Sequence, residues 1–206
     1  TYNVRAAWAL AQAGAVFGQS RWVDAAKNNC EWVLGQQNPA GWFENNVFKP
    51  GEAPLLHTIS YAIEGLFGVG MQLGDSRFID AARRATDGVL SRYVTEGRLH
   101  GRYDDRWAPR VSWRCLTGEA QLAGVLLRFV AHADGPSVYK ETAESIIKGI
   151  CGLQDANPKH LPTCGGVAGS QPLWGEYLRY RYPNWAAKFF LDVLLLMVHN
   201  ADPHAV

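Results

Sequence analysis

The chain has 206 residues, of which 48% are hydrophobic and 19% charged, and its formal net charge is +1. That length buries one good core, and that composition excludes a disordered chain. The near-neutral charge gives no electrostatic footprint for nucleic acid or an anionic membrane. The longest apolar run, Phe189 to Val198, is interrupted by Asp192 and is too short to span a bilayer. The chain opens at Thr1, without Met, inside a helix-like pattern. It reads as a fragment or processed product, which leaves its compartment open.

Cys30, Cys115, Cys151 and Cys164 form no CxxC pair, and no His lies at finger-like spacing, so no metal or cofactor is expected. Cys30 and Cys151 fall on apolar helix stripes, where a buried free thiol is the usual outcome. A Cys151–Cys164 disulfide is the alternative, and a mass change on reduction distinguishes it. The unusual feature of the composition is eight Trp, eight Tyr and eight Phe, many of the Trp in loops where core packing alone does not explain them.

Apolar periodicity predicts a first helix over residues 4–17, with Val4, Trp8, Ala11 and Ala15 on one stripe and Gly18 as its stop. Ser20 is a natural N-cap for a second helix over 21–35, closed by Gly35. The loop over 36–54 carries Gly41-Trp42-Phe43. The third helix, 56–73, is apolar nearly all round and ends at Gly74, and Asp75 caps a fourth over 76–93. Gly97 to Tyr103, bounded by glycines, is assigned to a short strand, followed by a loop over 104–114. A fifth helix spans 117–133, Asp134-Gly135-Pro136 turns the chain, and a sixth spans 137–153. The loop over 155–182 contains Gly165-Gly166-Val167-Ala168-Gly169-Ser170, which lacks the Lys and hydroxyl ending of a phosphate loop. Asn184 caps a seventh, very apolar helix through about Val198.

These helices repeat. Arg21-Trp22-Val23-Asp24-Ala25-Ala26 returns as Arg77-Phe78-Ile79-Asp80-Ala81-Ala82, and more loosely over 137–143, a period of about 55 to 60 residues. Odd helices are apolar all round and belong inside; even helices carry a charged face and belong outside. The expected fold is all-α: an incomplete α/α toroid of helical hairpins, one domain over 1–206 cut from a larger ring. A stacked solenoid is the rival, but long Gly/Trp loops are unlike its tight turns. A cut ring leaves an open edge through which self-association or a partner is expected.

Four segments carry a resemblance: Gly41-Trp42-Phe43, His57-Thr58-Ile59-Ser60-Tyr61, Cys115-Leu116-Thr117-Gly118-Glu119-Ala120-Gln121, and Pro183-Asn184-Trp185-Ala186-Ala187-Lys188-Phe189. They resemble bacterial toroid proteins described as carrying prenyltransferase or squalene-cyclase-like repeats. The architecture is also similar to six-hairpin sugar enzymes: uronate-polysaccharide lyases, unsaturated glucuronyl hydrolases and sugar 2-epimerases. The cyclase Asp-x-Asp-Asp motif is missing, and Asp104-Asp105 lacks the third carboxylate of a DDxxD motif. No Asp, Cys and His trio matches the zinc site of protein prenyltransferases.

In a toroid the long loops feed the N-termini of the inner helices, whose N–H groups and positive dipole ends favour anionic ligands. Polar groups there are the candidate site: Arg5, His57, Tyr61, Glu64, Glu119, Gln121, Trp185 and Lys188. Each also has a structural reading as a cap or core hydrogen-bonding group. His57 and Tyr61 share a face, one turn apart. From the lyase resemblance, such a pair removes a C5 proton and protonates the leaving oxygen. Glu64 among apolar residues would serve as an acid, or would pair with Arg5 or Lys188. Asp104 and Asp105 form a second catalytic candidate in an aromatic loop. Trp42, Trp107, Trp113 and Trp174 are candidates to stack on sugar rings, and Arg102, with Arg106, Arg110 and Arg114, to bind carboxylates.

The leading expectation is a carbohydrate-active toroid with a saccharide ligand, of lyase, hydrolase or epimerase type. The alternatives are an isoprenoid cyclase or prenyltransferase-like enzyme, and a non-catalytic toroid that binds glycan or protein.

Overall fold

The computed structural model describes residues 1–132 and 135–201, with side chains through residue 198. Ala133 and Asp134, which the sequence reading puts at a helix end and in a turn, lie outside the described residues. The regular structure is α1 (Val4–Val16), α2 (Ser20–Leu34), α3 (Leu56–Leu73), α4 (Ser76–Glu96), β1 (Arg114–Cys115), α5 (Leu116–His132), α6 (Ser137–Cys151), β2 (Ser170–Gln171) and α7 (Asn184–Ala201). No helix among the described residues is long and apolar enough to cross a membrane.

The stops and starts follow local chemistry. Gly74 ends α3 in the left-handed region at φ 66°, where a side chain would be strained. Asp75 then caps α4 by accepting from the Arg77 N–H. Hydrogen bonding to Arg77 holds the Asp75 carboxyl below its ordinary value. Helix α4 runs to Glu96, beyond the expected 93, because no residue before Gly97 breaks it. Ser20 is the first residue of α2, and Gln19 precedes it without a side-chain cap bond.

The chain divides into two compact units, residues 1–111 and 112–206. In the first, α1 packs on both α2 and α3, α3 packs on α4, and α2 and α4 barely meet. Thus α1 and α3 are the inner pair. Helix α3 is buried from Leu56 to Gly70 with the exception of Tyr61, whereas α4 buries one stripe from Phe78 to Leu90. Two glycines let α1 lie directly on α3. A Cβ on Gly65 would stand 2.5 Å from the Val4 carbonyl carbon, and one on Gly68 would stand 2.3 Å from the Trp8 ring. The segment over 97–103 is not a strand. It makes only isolated bridges, Leu55 to Arg102 and Tyr103 to Pro109.

In the second unit α5 packs on α6 and α7, and β1 pairs antiparallel with β2, Arg114 opposite Gln171. This small ladder holds the 170–171 segment against the entry to α5.

All four cysteines are free. Cys30 and Cys115 are buried, and burial, reinforced by Glu31 and Asp75, pushes the Cys30 thiol up to about 12. Cys151, expected on a buried stripe, is exposed at the end of α6, as is Cys164. The buried face of α6 is instead Tyr139, Thr142, Ala143, Ile146, Ile147 and Ile150, and Cys151 is one position off it.

Candidate active site

In the first unit, the N-terminal halves of the two inner helices bring four candidates together. Arg5 of α1 donates from Nε to a Glu64 carboxylate oxygen at 2.5 Å. The Glu64 side chain is 5% exposed and that of Arg5 27%. The Arg5 guanidinium lies 5.8 Å from the Tyr61 ring centre and 5.4 Å from that of Trp8, both cation–π distances. Tyr61 stacks obliquely on His57, ring centres 4.4 Å apart. Phe48, half-exposed in the preceding loop, lies 6.1 Å from His57 and edge-on to Tyr2 at 5.1 Å.

The electrostatics divide the roles. Of the two alternatives for Glu64, pairing with Arg5 is the one found. Burial pushes the Tyr61 hydroxyl up from its ordinary value; the Arg5 charge opposes this shift and Glu64 adds to it. Tyr61 therefore keeps its proton at neutral pH and is a donor.

Trp42, Asp104 and Asp105 lie apart from this cluster's contacts, in a cleft of about 560 Å³ that is also lined by Asn38, Glu44, Glu52, Pro54 and Arg110. Asp104 has a structural role there: one carboxylate oxygen accepts from the backbone N–H groups of Arg106 and Ala108, the turn-closing bond typical of Asp. Its other oxygen is 3.8 Å from Arg110. Asp105 is exposed, and its backbone carbonyl accepts from the Asn38 side chain.

Two expected ligand contacts in this unit are corrected. Trp107 is 4% exposed; it sits at φ 61°, fills the space above Gly88, and donates from Nε1 to the Ala40 carbonyl. Its ring is a wedge between a helix and a turn. Arg102 turns inward to the Ala53 carbonyl and to Glu52 at 2.9 Å, so it braces the segment before α3.

In the second unit, Arg114 grips Glu119 with two parallel bonds, Nε to one carboxylate oxygen at 2.8 Å and a terminal nitrogen to the other at 2.5 Å. Glu119 is 1% exposed, and Gln121 is 3% exposed on the same helix. Trp113, expected to face a ligand, is also buried at 4%, packed near Gly175. Trp174 and Trp185 do reach solvent, at 51% and 43%. Trp185 donates from Nε1 to the Tyr177 hydroxyl at 3.0 Å. Lys188 pairs with Asp192 one turn on and lies over the Phe189 ring. Among the described residues, no three His, Cys, Asp or Glu side chains converge as a metal site.

Sequence reasoning missed Phe48, which packs on His57, and Asn38, which lines the cleft beside Trp42. Asn38 lies three residues before Gly41, which takes φ 88°. An Asn beside a Pro and a turn glycine is a readable turn signal.

No family model and no curated protein sequence matches the chain. Solved structures do. An unsaturated glucuronyl hydrolase specific for heparin superposes with a TM-score of 0.76 at 17% identity, over 97% of this chain and 59% of that one. The polysaccharide lyase BACCELL_00875 gives 0.72 at 14% identity, over 98% and 61%. The cellobiose 2-epimerase of Spirochaeta thermophila DSM 6192 gives 0.69 at 13% identity, over 99% and 58%. The chain has the α/α-toroid fold of these proteins and spans about three fifths of their length.

Proposed function

We propose that the chain is the saccharide-acting part of an α/α-toroid enzyme, with His57 and Tyr61 as its proton-transfer pair. The observation that carries this reading is the stacking of Tyr61 on His57 beside the Arg5–Glu64 ion pair, on the N-terminal halves of two inner helices. Imidazole is the base. The phenol, which burial keeps protonated, is the acid, and Arg5 stabilises the phenolate that its proton transfer leaves. Removal of a proton from a sugar carbon and protonation of a leaving or neighbouring oxygen is chemistry shared by lyases and epimerases. The hydrolase, lyase and epimerase activities named for the similar structures support a saccharide as the substrate. An isoprenoid cyclisation site calls for a dry aromatic enclosure around a cation; a buried ion pair beside the aromatic rings fits it poorly.

The test is an oligosaccharide panel that includes uronates, read by unsaturated-uronate absorbance and by product mass. Tyr61→Phe and His57→Gln should each lower kcat by about 10² to 10⁴ while leaving the helical circular dichroism signal intact. Turnover that survives both substitutions would refute the assignment. Turnover of a polyprenyl diphosphate instead of any glycan would refute the substrate class.

A further inference from the structure

One buried titratable side chain of the first unit takes no part in the site described above. His100 follows the last residue of α4 by four positions and is 3% exposed. Gly97, at φ 68°, turns the chain back on the helix end, so that the His100 ring meets Glu96. Nε2 lies 2.7 Å from a Glu96 carboxylate oxygen, and Nδ1 lies 2.9 Å from the Val111 carbonyl oxygen. Both partners present oxygen lone pairs. A neutral imidazole donates from one nitrogen only, which leaves its other lone pair facing one of these oxygens. Two bonds therefore need two protons, and of the two titratable partners imidazole is the stronger base. The ring that fits this place is an imidazolium. It stands at the C-terminal end of α4, where the helix dipole favours a cation.

Glu96 is the charged group in contact with this ring. Tyr103 is its other titratable neighbour: the phenol ring is edge-on at 6.2 Å, and its hydroxyl accepts from the His100 backbone N–H at 2.8 Å. The cations of the same stretch have other partners or are exposed. Arg92 donates to the Arg106 carbonyl, Arg102 to Ala53 and Glu52, Arg110 stands 3.8 Å from Asp104, and Arg98 is exposed.

The segment that this ring pins is the one on which α3 starts. Helix α3 has no side-chain cap. Instead the Leu56 N–H donates to the Gly101 carbonyl at 2.9 Å, the Tyr103 N–H donates to the Pro54 carbonyl at 3.2 Å, and Leu55 bridges to Arg102. Residues 101–103 thus do for α3 what a cap does for other helices. His57 follows Leu56 directly, and Tyr61 is stacked on it. A shift of residues 100 and 101 reaches His57 through one hydrogen bond and one peptide unit.

We propose that His100 is a positioning residue for the His57–Tyr61 pair, and that it works only while its ring carries both protons. When a rise in pH removes the second proton to solvent, the Nε2 lone pair is left facing the Glu96 carboxylate. That repulsion loosens the 100–103 segment, and the start of α3 with it. The effect on turnover rests on the His57–Tyr61 reading above; the proton count at His100 does not.

The experiment is nitrogen NMR of the histidine-labelled chain across a pH series, paired with the pH dependence of turnover on the oligosaccharide panel. At neutral pH the His100 ring, assigned by its loss in His100→Gln, should show two protonated nitrogens. The His57 ring signals, which sense the stacked Tyr61 ring, should shift as His100 gives one proton up. Glu96→Gln supplies an amide that donates to Nε2, so a neutral ring satisfies both contacts. That variant should show a single ring N–H, leave kcat unchanged, and lack an alkaline limb that the unaltered protein shows at lower pH than the limb set by the Tyr61 phenol. His100→Leu should lower kcat/KM by between about tenfold and about a hundredfold with the helical circular dichroism signal intact. One N–H on His100 at neutral pH, His57 signals indifferent to the His100 titration, or an alkaline limb unchanged in Glu96→Gln would overturn the proposal. Coupled His100 and His57 signals in a chain that turns over no glycan would sink the proposed catalysis and leave the positioning contact standing. Turnover that depends on Tyr61 but has the same pH profile in Glu96→Gln would do the reverse.

Discussion

Replacing Arg5 with Met should destabilise the protein far more than replacing Glu64 with Gln. The two residues form one ion pair, but they are not equally placed: the Glu64 side chain is 5% exposed and the Arg5 side chain 27%. Without Arg5, a carboxylate inside the inner layer loses the guanidinium that donates to it at 2.5 Å. Breaking a buried pair in this way costs about 3–5 kcal/mol, and partial solvent access at the Arg5 side argues for the lower end, about 3 kcal/mol. For a chain of this length that corresponds to a fall in Tm of about 10 °C. In Glu64→Gln the amide oxygen still accepts from Nε, and the guanidinium reaches water, so the loss should be about 1 kcal/mol, or about 3 °C. The double change Arg5→Met with Glu64→Leu should recover most of the loss, since a well-packed apolar pair replaces buried charge at little net cost. Thermal unfolding followed by circular dichroism measures all three. Equal losses for the two single changes, or a double variant no better than Arg5→Met, would refute the burial argument.

Gly88→Ala should destabilise by about 1–3 kcal/mol, because the new Cβ would stand 2.2 Å from the Trp107 ring; thermal unfolding again reads it. Titration with a thiol reagent should find Cys151 and Cys164 reactive in the native protein, with Cys30 and Cys115 reacting only on unfolding. For Asp75 the folded carboxyl lies below its ordinary value of 3.8, so its stabilising contribution is complete above that pH and fades as pH falls through the lower folded value. Asp75→Asn should therefore flatten the acid limb of the stability–pH curve below about pH 4 in denaturant titrations.

The helices were legible because their signals are local. An apolar repeat, a glycine stop and an Asp cap lie within a few residues of each other, and α3 begins and ends where they put it. The hairpin layering was legible for the same reason, since one helix of each pair is apolar all round. What distant residues do to each other was harder. Arg5 and Glu64 are 59 positions apart, and sequence could only name Arg5 as one of two partners. Trp107 looked like a ligand-facing ring because its acceptor, Ala40, is 67 positions away. The turn-closing role of Asp104 had a near signal: an Asp at the start of a turn commonly closes that turn with its own side chain. Trp113 and Trp174 come from similar aromatic loops, yet one is buried and the other exposed, a difference that only the surrounding fold decides.

The two glycines of α3 do more than permit close packing. Gly65 receives the Val4 carbonyl and Gly68 receives the Trp8 ring, so α1 rests in two notches one turn apart. Two notches define a position along an axis, as the marks of a vernier do. The residues that follow Val4 and precede Gly65 are Arg5 and Glu64, the two members of the ion pair. Their alignment is therefore set by atoms that are missing from their neighbours. A methyl group added at either notch would have to lift or slide the helix, and the charge pair beside Tyr61 would move with it. The accuracy of the charged cluster is in this sense steric in origin, encoded in the smallest side chains of the helix rather than in the ones that carry charge.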